Sequence, residues 1–367
     1  MITTAEQLQH LATLLKTQKI VAFDLEADSM HHYREQVCLL QISTEEKNYI
    51  VDPLVCTDFS PLVPVFSDPS IVKVFHGADY DVRMLHRGFG IEISNLFDTM
   101  IACQFIGEPA VGLAAVLKKR FSVDLDKKYQ QADWSKRPLS PEMLDYAAKD
   151  TSLLIPLYKE LTAELTAKGR LSWVLEECEL LSRVRSAERS DEPLSARFKG
   201  IAKMRRETYG VLEGLLRFRD EEAQKRDLPP FKIFGNDAVR EIAERNPSSV
   251  ADFNGISGFS PRLVERHGKA ILHAVKAGRN LPKEALPAFE TRKRSERTPQ
   301  QDERLKRLKE WRTEKAADLG IDPGIMVNNA LLESLSESIP ATPADLKGLK
   351  AWHSELFTNE LFNLLIK

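Results

Sequence analysis

Apolar residues spaced three and four apart between Ala5 and Leu15 predict a short amphipathic helix at the start of the chain. The unbroken run Ile20-Val21-Ala22-Phe23 then reads as a buried strand, after which acids occupy alternate positions at Asp24, Glu26 and Asp28. Residues 36–43 and 48–52 have the look of a β-hairpin, joined by the polar Thr44-Glu45-Glu46-Lys47. A helix around 58–67 leads to another apolar strand, Ile71-Val72-Lys73-Val74-Phe75, and His76-Gly77-Ala78 turns the chain into a helix from Asp79 to Gly88. A hairpin followed by alternating strands and helices predicts an α/β domain with a mixed sheet flanked by helices.

From about residue 140 onward no strand pattern recurs. Ser140-Pro141-Glu142 carries the signals of a helix start: serine at the N-cap, proline at the first position, an acid in the first turn. That helix should pass through Tyr146 and Asp150 to about Leu154, with Pro156 as its break or kink. Another helix is expected at 171–188, and a charged, proline-containing linker at 189–200. Sliding the remainder by 93 residues exposes an internal repeat: Arg219 meets Arg312, Pro230 meets Pro323, Asn236 meets Asn329, Asp252 meets Asp345 and Gly255 meets Gly348. Each copy reads as a small helical bundle. The predicted organisation is an α/β domain over 1–190 and two all-α bundles over 205–282 and 298–367, with a basic hinge at 291–297.

At 367 residues and a net charge of −2, the chain has room for two or three domains and no global charge that announces a nucleic-acid partner. No run of 18 apolar residues suggests a membrane span, and the N-terminus lacks a signal-peptide pattern, so a cytoplasmic protein is expected. Cys38, Cys56, Cys103 and Cys178 show no CxxC spacing, which favours packed, reduced thiols over a zinc knuckle or disulfide framework. No Walker phosphate loop is present, so ATP use is not expected.

Strand side chains alternate between faces, so Asp24 and Glu26 share one. Their repulsion invites a divalent cation, since hard cations take oxygen ligands; a solvated acidic loop is the alternative, and Asp28 is read as solvated. A second acidic site, Asp79-Tyr80-Asp81, follows the strand ending at Phe75, and the residues alone do not choose between its two aspartates. Tyr146 and Asp150, four apart, share a helical face, either as part of a site or as a surface pair.

Together, Asp24-x-Glu26, His76-Gly77-Ala78-x-x-Asp81 and Tyr146-x-x-x-Asp150 resemble the three motifs of the DEDD exonucleases, tyrosine subclass. Leu39-Leu40-Gln41-Ile42-Ser43, Phe97-Asp98-Thr99 and Asp133-Trp134-Ser135-Lys136-Arg137-Pro138-Leu139 are similar to further stretches of that group. Both helical copies resemble the helicase-and-ribonuclease-D C-terminal (HRDC) domain, the second less clearly, and the whole arrangement is similar to the bacterial ribonuclease D family. The resemblance selects Asp81 over Asp79. It implies a ribonuclease-H-like fold in which Asp24, Glu26, Asp81 and Asp150 hold two divalent ions, Mg²⁺ or Mn²⁺, with Tyr146 positioning a water. It also implies 3′–5′ removal of 5′-mononucleotides from RNA, with transfer-RNA precursors as the expected partner.

Other residues carry two readings. His76 is expected either to touch substrate or to stabilise its turn; Trp134 and Arg137 either to stack on a base and pair with a phosphate or to pack a loop. Asp98 reads as an N-cap, and Gly255-Ile256-Ser257-Gly258 as a phosphate cradle or a plain turn. Residues 291–315, with ten Lys/Arg against five Asp/Glu, are either a nucleic-acid grip or a solvated face. The rival functions are a 3′–5′ DNA exonuclease and a non-catalytic nucleic-acid-binding protein.

Overall fold

The structure, a computed structural model, describes residues 1–187, 192–282, 284, 286 and 297–366. Two compact units emerge. One comprises Met1–Ala27, Gln36–Ser186 and the chain from Arg297; the other comprises Asp28–Glu35 and Ala187–Glu296.

The first unit is built on a five-stranded sheet: β1 (Ile20–Ala27), β2 (Val37–Ser43), β3 (Asn48–Val51), β4 (Val72–Phe75) and β5 (Leu96–Asp98), in spatial order β3-β2-β1-β4-β5. β1 runs antiparallel to β2 and parallel to β4, and occupies the centre. Its residues Val21, Ala22 and Phe23 are fully buried, as a central strand covered on both faces requires. β5 escaped the sequence pattern because three residues are too few to show a period.

Around the sheet lie α1 (Ala5–Leu15), α2 (Val63–Ser67), α3 (Asp79–Phe89), α4 (Thr99–Ile106), α5 (Leu113–Phe121), α6 (Pro141–Ser152), α7 (Leu154–Ala167) and α8 (Leu171–Ser182). The Ser140 side chain caps α6 through the Met143 amide, with Pro141 in the first turn. The break expected at Pro156 comes earlier, at Leu153, whose φ is −108°. Pro156 sits in the first turn of α7, where its missing N–H has no helical partner to lose.

The second unit contains α9 (Tyr209–Arg226), α10 (Pro230–Ile233), α11 (Asn236–Arg245) and α12 (Pro261–Arg279). The second helical copy, α13 (Pro299–Leu319), α14 (Pro323–Met326), α15 (Asn329–Glu337) and α16 (Ala351–Ile366), repeats that order. The repeat extends to single hydrogen bonds. Arg219 Nη1 donates to Phe234 O at 3.2 Å and Asn236 Oδ1 at 2.8 Å, and Arg312 Nη1 donates to Val327 O and Asn329 Oδ1, both at 2.9 Å. Capping boxes recur as well, with Ser249 and Asp252 in one copy and Thr342 and Asp345 in the other.

The copies differ in where they pack. The second copy shares the core of the five-stranded sheet: Trp352 stacks on Trp173 at 5.1 Å between centroids and meets Phe105 at 5.5 Å. Lys350 pairs with Glu177 at 2.5 Å, and Arg170 donates to Leu319 O at 2.6 Å. Gly107, at φ +92°, lies so close to this copy that a Cβ would stand 2.1 Å from Gly320 O. In the other unit, Asp28–Glu35 lies with the first copy: Tyr33 Oη donates to Asp220 at 2.8 Å, and His32 Nδ1 lies 2.6 Å from Asp227. Asp28 is therefore not solvated. It is fully buried where the chain turns after β1, and its carbonyl accepts from His31 N at 2.7 Å. Of the basic hinge, only Arg297 lies within the described residues. Arg297 pairs with Glu333 at 3.3 Å.

Candidate active site

Three elements converge on one cleft of about 350 Å³: the end of β1, the turn after β4, and α6. Asp24, Glu26, His76, Tyr146 and Asp150 line it, with Gly112, Leu113, Lys127 and Gln130 among the other lining residues. Carboxylate oxygens of Asp24, Glu26 and Asp150 all lie within 4.8 Å of one another. Asp81 is outside that trio but only 7 % exposed, and its charge raises the pKa of both Asp24 and Glu26.

The geometry also separates Asp81 from Asp79. Asp79 points outward and takes two hydrogen bonds from Arg83, at 2.8 and 3.0 Å, which hold its carboxyl below the usual range. Asp81, two residues further along the same turn of α3 and so on its opposite face, is buried, and burial pushes its carboxyl up to about 7. Burial does the same to Asp150, to about 7, and burial with repulsion from Asp150 and Asp81 lifts Glu26 to about 9. Asp24 rises well above its ordinary value through burial and then through Asp81, Glu26 and Asp150. Such crowding is unfavourable for the ionised protein alone. It fits a cation: an oxygen-only donor set, partly buried and rich in uncompensated negative charge, suits a hard divalent ion. Burial and the same carboxylates push the Tyr146 hydroxyl upward, so it keeps its proton near neutrality.

Around this cluster, Asp98 does more than cap α4. It accepts from Met100 N at 2.7 Å and Ile101 N at 3.3 Å, and also from Gly77 N at 2.9 Å and Ala78 N at 2.7 Å, tying the β4 turn to the next helix. His76 Nδ1 lies 2.8 Å from Thr99 Oγ1, which secures the ring at the cleft wall. Trp134 and Arg137 do not join the cleft. Trp134 is 1 % exposed in a cluster with Cys38, Leu39, Leu139 and Ala147, with no face left for a base. Arg137 is spent on Asp52, at 2.6 and 2.7 Å, and on the carbonyls of Trp134, Lys136 and Cys38. These two residues hold the loop before α6, which places Tyr146: its ring is 6.1 Å from that of Trp134. Lys127 and Gln130 come from a polar stretch without periodicity or motif, so no sequence signal marked them.

Comparison with known proteins places this geometry. Residues 1–166 match the 3′–5′ exonuclease family, and 197–275 and 301–364 match the HRDC domain. The chain is 33 % identical over 290 residues to ribonuclease D of Gluconacetobacter diazotrophicus, covering 78 % of this chain and 74 % of that protein. The chain belongs to the ribonuclease D family. Escherichia coli ribonuclease D is 31 % identical over 78 % of this chain and 76 % of its own length. The crystal structure of an E. coli RNase D, described as an exoribonuclease involved in structured RNA processing, superposes with a TM-score of 0.75 at 28 % identity. That match covers 100 % of this chain and 98 % of the other. The catalytic core of RRP6 from Trypanosoma brucei gives a TM-score of 0.66 at 34 % identity, covering 76 % of this chain and 78 % of that one. In this member of the ribonuclease D family, Asp24, Glu26, Asp81, Tyr146 and Asp150 all fall within the exonuclease match. A dependence on divalent metal follows from that fold, and among the described residues no helix is long and apolar enough to cross a membrane.

Proposed function

We propose that this 3′–5′ exoribonuclease uses Asp24, Glu26, Asp81 and Asp150 to hold two divalent cations, Mg²⁺ or Mn²⁺, and releases 5′-mononucleotides from RNA 3′ ends. The observation that carries the reading is the convergence of the Asp24, Glu26 and Asp150 carboxylates within 4.8 Å of one another, with buried Asp81 adding its charge. When bound, such a pair of ions supplies a hydroxide-like nucleophile and offsets charge on the leaving 3′ oxygen. The protein's own groups supply the rest. Asp24 and Glu26 on a central strand and Asp150 on α6 present their oxygens from rigid elements, which limits reorganisation during the reaction. Tyr146, kept protonated, orients the attacking water by hydrogen bonding and does not act as its base. His76, fastened to Thr99, borders the cleft where the terminal nucleotide would lie.

The substrate class proposed is structured RNA with a 3′ extension, transfer-RNA precursors foremost, in the cytoplasm. The name of the E. coli relative, with its structured RNA, supports the first part. Four buried cysteine thiols suit a reducing compartment. In the first helical copy, α12 carries Arg262, Arg266, Lys269 and Lys276 at exposed positions spaced three, four and seven apart, which suits a phosphate backbone. A direct test compares 3′-extended transfer RNA, unstructured RNA and single-stranded DNA, with Mg²⁺ and with excess EDTA. Asp81→Asn should abolish nucleotide release while RNA affinity stays within about twofold. Full turnover of that variant, or turnover in EDTA, would reject the metal assignment. Equal turnover of DNA would return the DNA exonuclease to first place.

A further inference from the structure

Gln41 lies at the middle of β2, with no exposed surface. Neither its Nε2 nor its Oε1 has a hydrogen-bond partner among the described residues. A fully buried primary amide left this way carries an uncompensated desolvation cost, and a leucine would fill the same position without it. Position supplies a reason for keeping it. Gln41 is the direct cross-strand partner of Asp24, with Ile50 opposite on its other side. Directly paired residues of an antiparallel ladder project from the same face, so the Gln41 amide shares the face of the Asp24 and Glu26 carboxylates. α6 covers that face. Ser43 Oγ, two residues beyond Gln41, lies 2.6 Å from Thr151 Oγ1, the neighbour of Asp150. Leu39, two residues before it, packs with Ala147, the neighbour of Tyr146. An unpaired amide is thus embedded between the strand that bears Asp24 and the helix that bears Tyr146 and Asp150.

We propose that Gln41 is a positioning residue: its Nε2, bonded to no group among the described residues, is the donor that the Asp24 carboxylate would engage when it turns to hold a divalent cation. A neutral donor suits this place. It steadies an anionic ligand without adding a cation that would compete with the metal, and ligating carboxylates are commonly oriented by such hydrogen bonds. The inference rests on the reading of Asp24, Glu26, Asp81 and Asp150 as cation ligands.

The test uses the full chain with Gln41→Leu and Gln41→Met, the second retaining the length and volume of glutamine. Three readouts are taken: Mn²⁺ affinity by titration calorimetry, kcat and KM on a short RNA, and the unfolding midpoint without metal. The expected result is Mn²⁺ affinity weakened by about 10- to 100-fold, with kcat falling and KM little changed. The metal-free midpoint should be equal or higher in both variants, because an unpaired amide has been removed. Unchanged Mn²⁺ affinity and kcat would overturn the proposal and leave Gln41 a core amide or the partner of a buried water. A lower metal-free midpoint in Gln41→Met would overturn it too, because the amide would then be holding the fold. If the wild-type chain itself fails to bind Mn²⁺ in the same titration, the cation reading fails, whatever Gln41 does.

Discussion

The crowded carboxylates should make the metal-free protein lose stability as pH rises. Each carboxyl whose folded pKa is raised contributes stability that is fully present below its ordinary value and is lost as pH passes through the raised one. Asp81 and Asp150 stand at about 7 against an ordinary 3.8, and Glu26 at about 9 against 4.5. The window for the loss is therefore from about pH 4 to 9. One group such as Asp150, at about 1.4 kcal/mol per pH unit, loses roughly 3 kcal/mol between pH 5 and 8. The groups interact and titrate as a set, so we assign about 3 kcal/mol to the cluster and do not add the members. Bound Mg²⁺ at a hundredfold excess over its dissociation constant would offset about 2.7 kcal/mol of that.

Urea melts followed by tryptophan fluorescence suit the measurement, because Trp134, Trp173, Trp311 and Trp352 all belong to the unit that holds the site. Metal-free protein should unfold at lower urea at pH 8 than at pH 5, and Mg²⁺ should restore stability at pH 8 far more than at pH 5. The Asp24→Asn/Asp150→Asn variant should flatten the pH slope and lose the Mg²⁺ response. Equal metal-free midpoints at the two pH values, or a variant slope matching the wild type, would refute the electrostatic account.

Arg137→Ala should destabilise the first unit by about 3–5 kcal/mol by stranding buried Asp52, while turnover per folded molecule stays near wild type. Chemical unfolding beside specific activity checks this, and a selective rise in KM would restore Arg137 as a substrate contact. A chain ending at residue 296 would uncover Phe105 and Trp173, so its exonuclease part should unfold at lower urea or aggregate, as light scattering would reveal. Arg262→Ala/Arg266→Ala/Lys269→Ala should reduce the salt dependence of RNA affinity by a slope of roughly 2–3 while leaving kcat on a dinucleotide unchanged. An unaltered slope would remove α12 from the RNA path.

Local periodicity made much of this protein legible from its sequence. The alternation after Phe23 placed Asp24 and Glu26 on one face, and the cap at Ser140 with the four-residue spacing of Tyr146 and Asp150 set one helical face toward them. The 93-residue repeat marked two helical copies whose hydrogen bonds prove equivalent. These features rest on backbone geometry within one element, or on self-similarity, and both survive in a linear string. Tertiary packing decided the rest. Asp79 and Asp81 look alike until Arg83 takes one and burial takes the other. Trp134 and Arg137 read equally as ligands until Asp52 and the Leu39 cluster are seen to occupy them. The second helical copy has the pattern of a separate bundle, yet Trp352 belongs to the core of the exonuclease unit. Gln41 meets Asp24 only through strand register, a pairing between distant parts of the chain that no local period records.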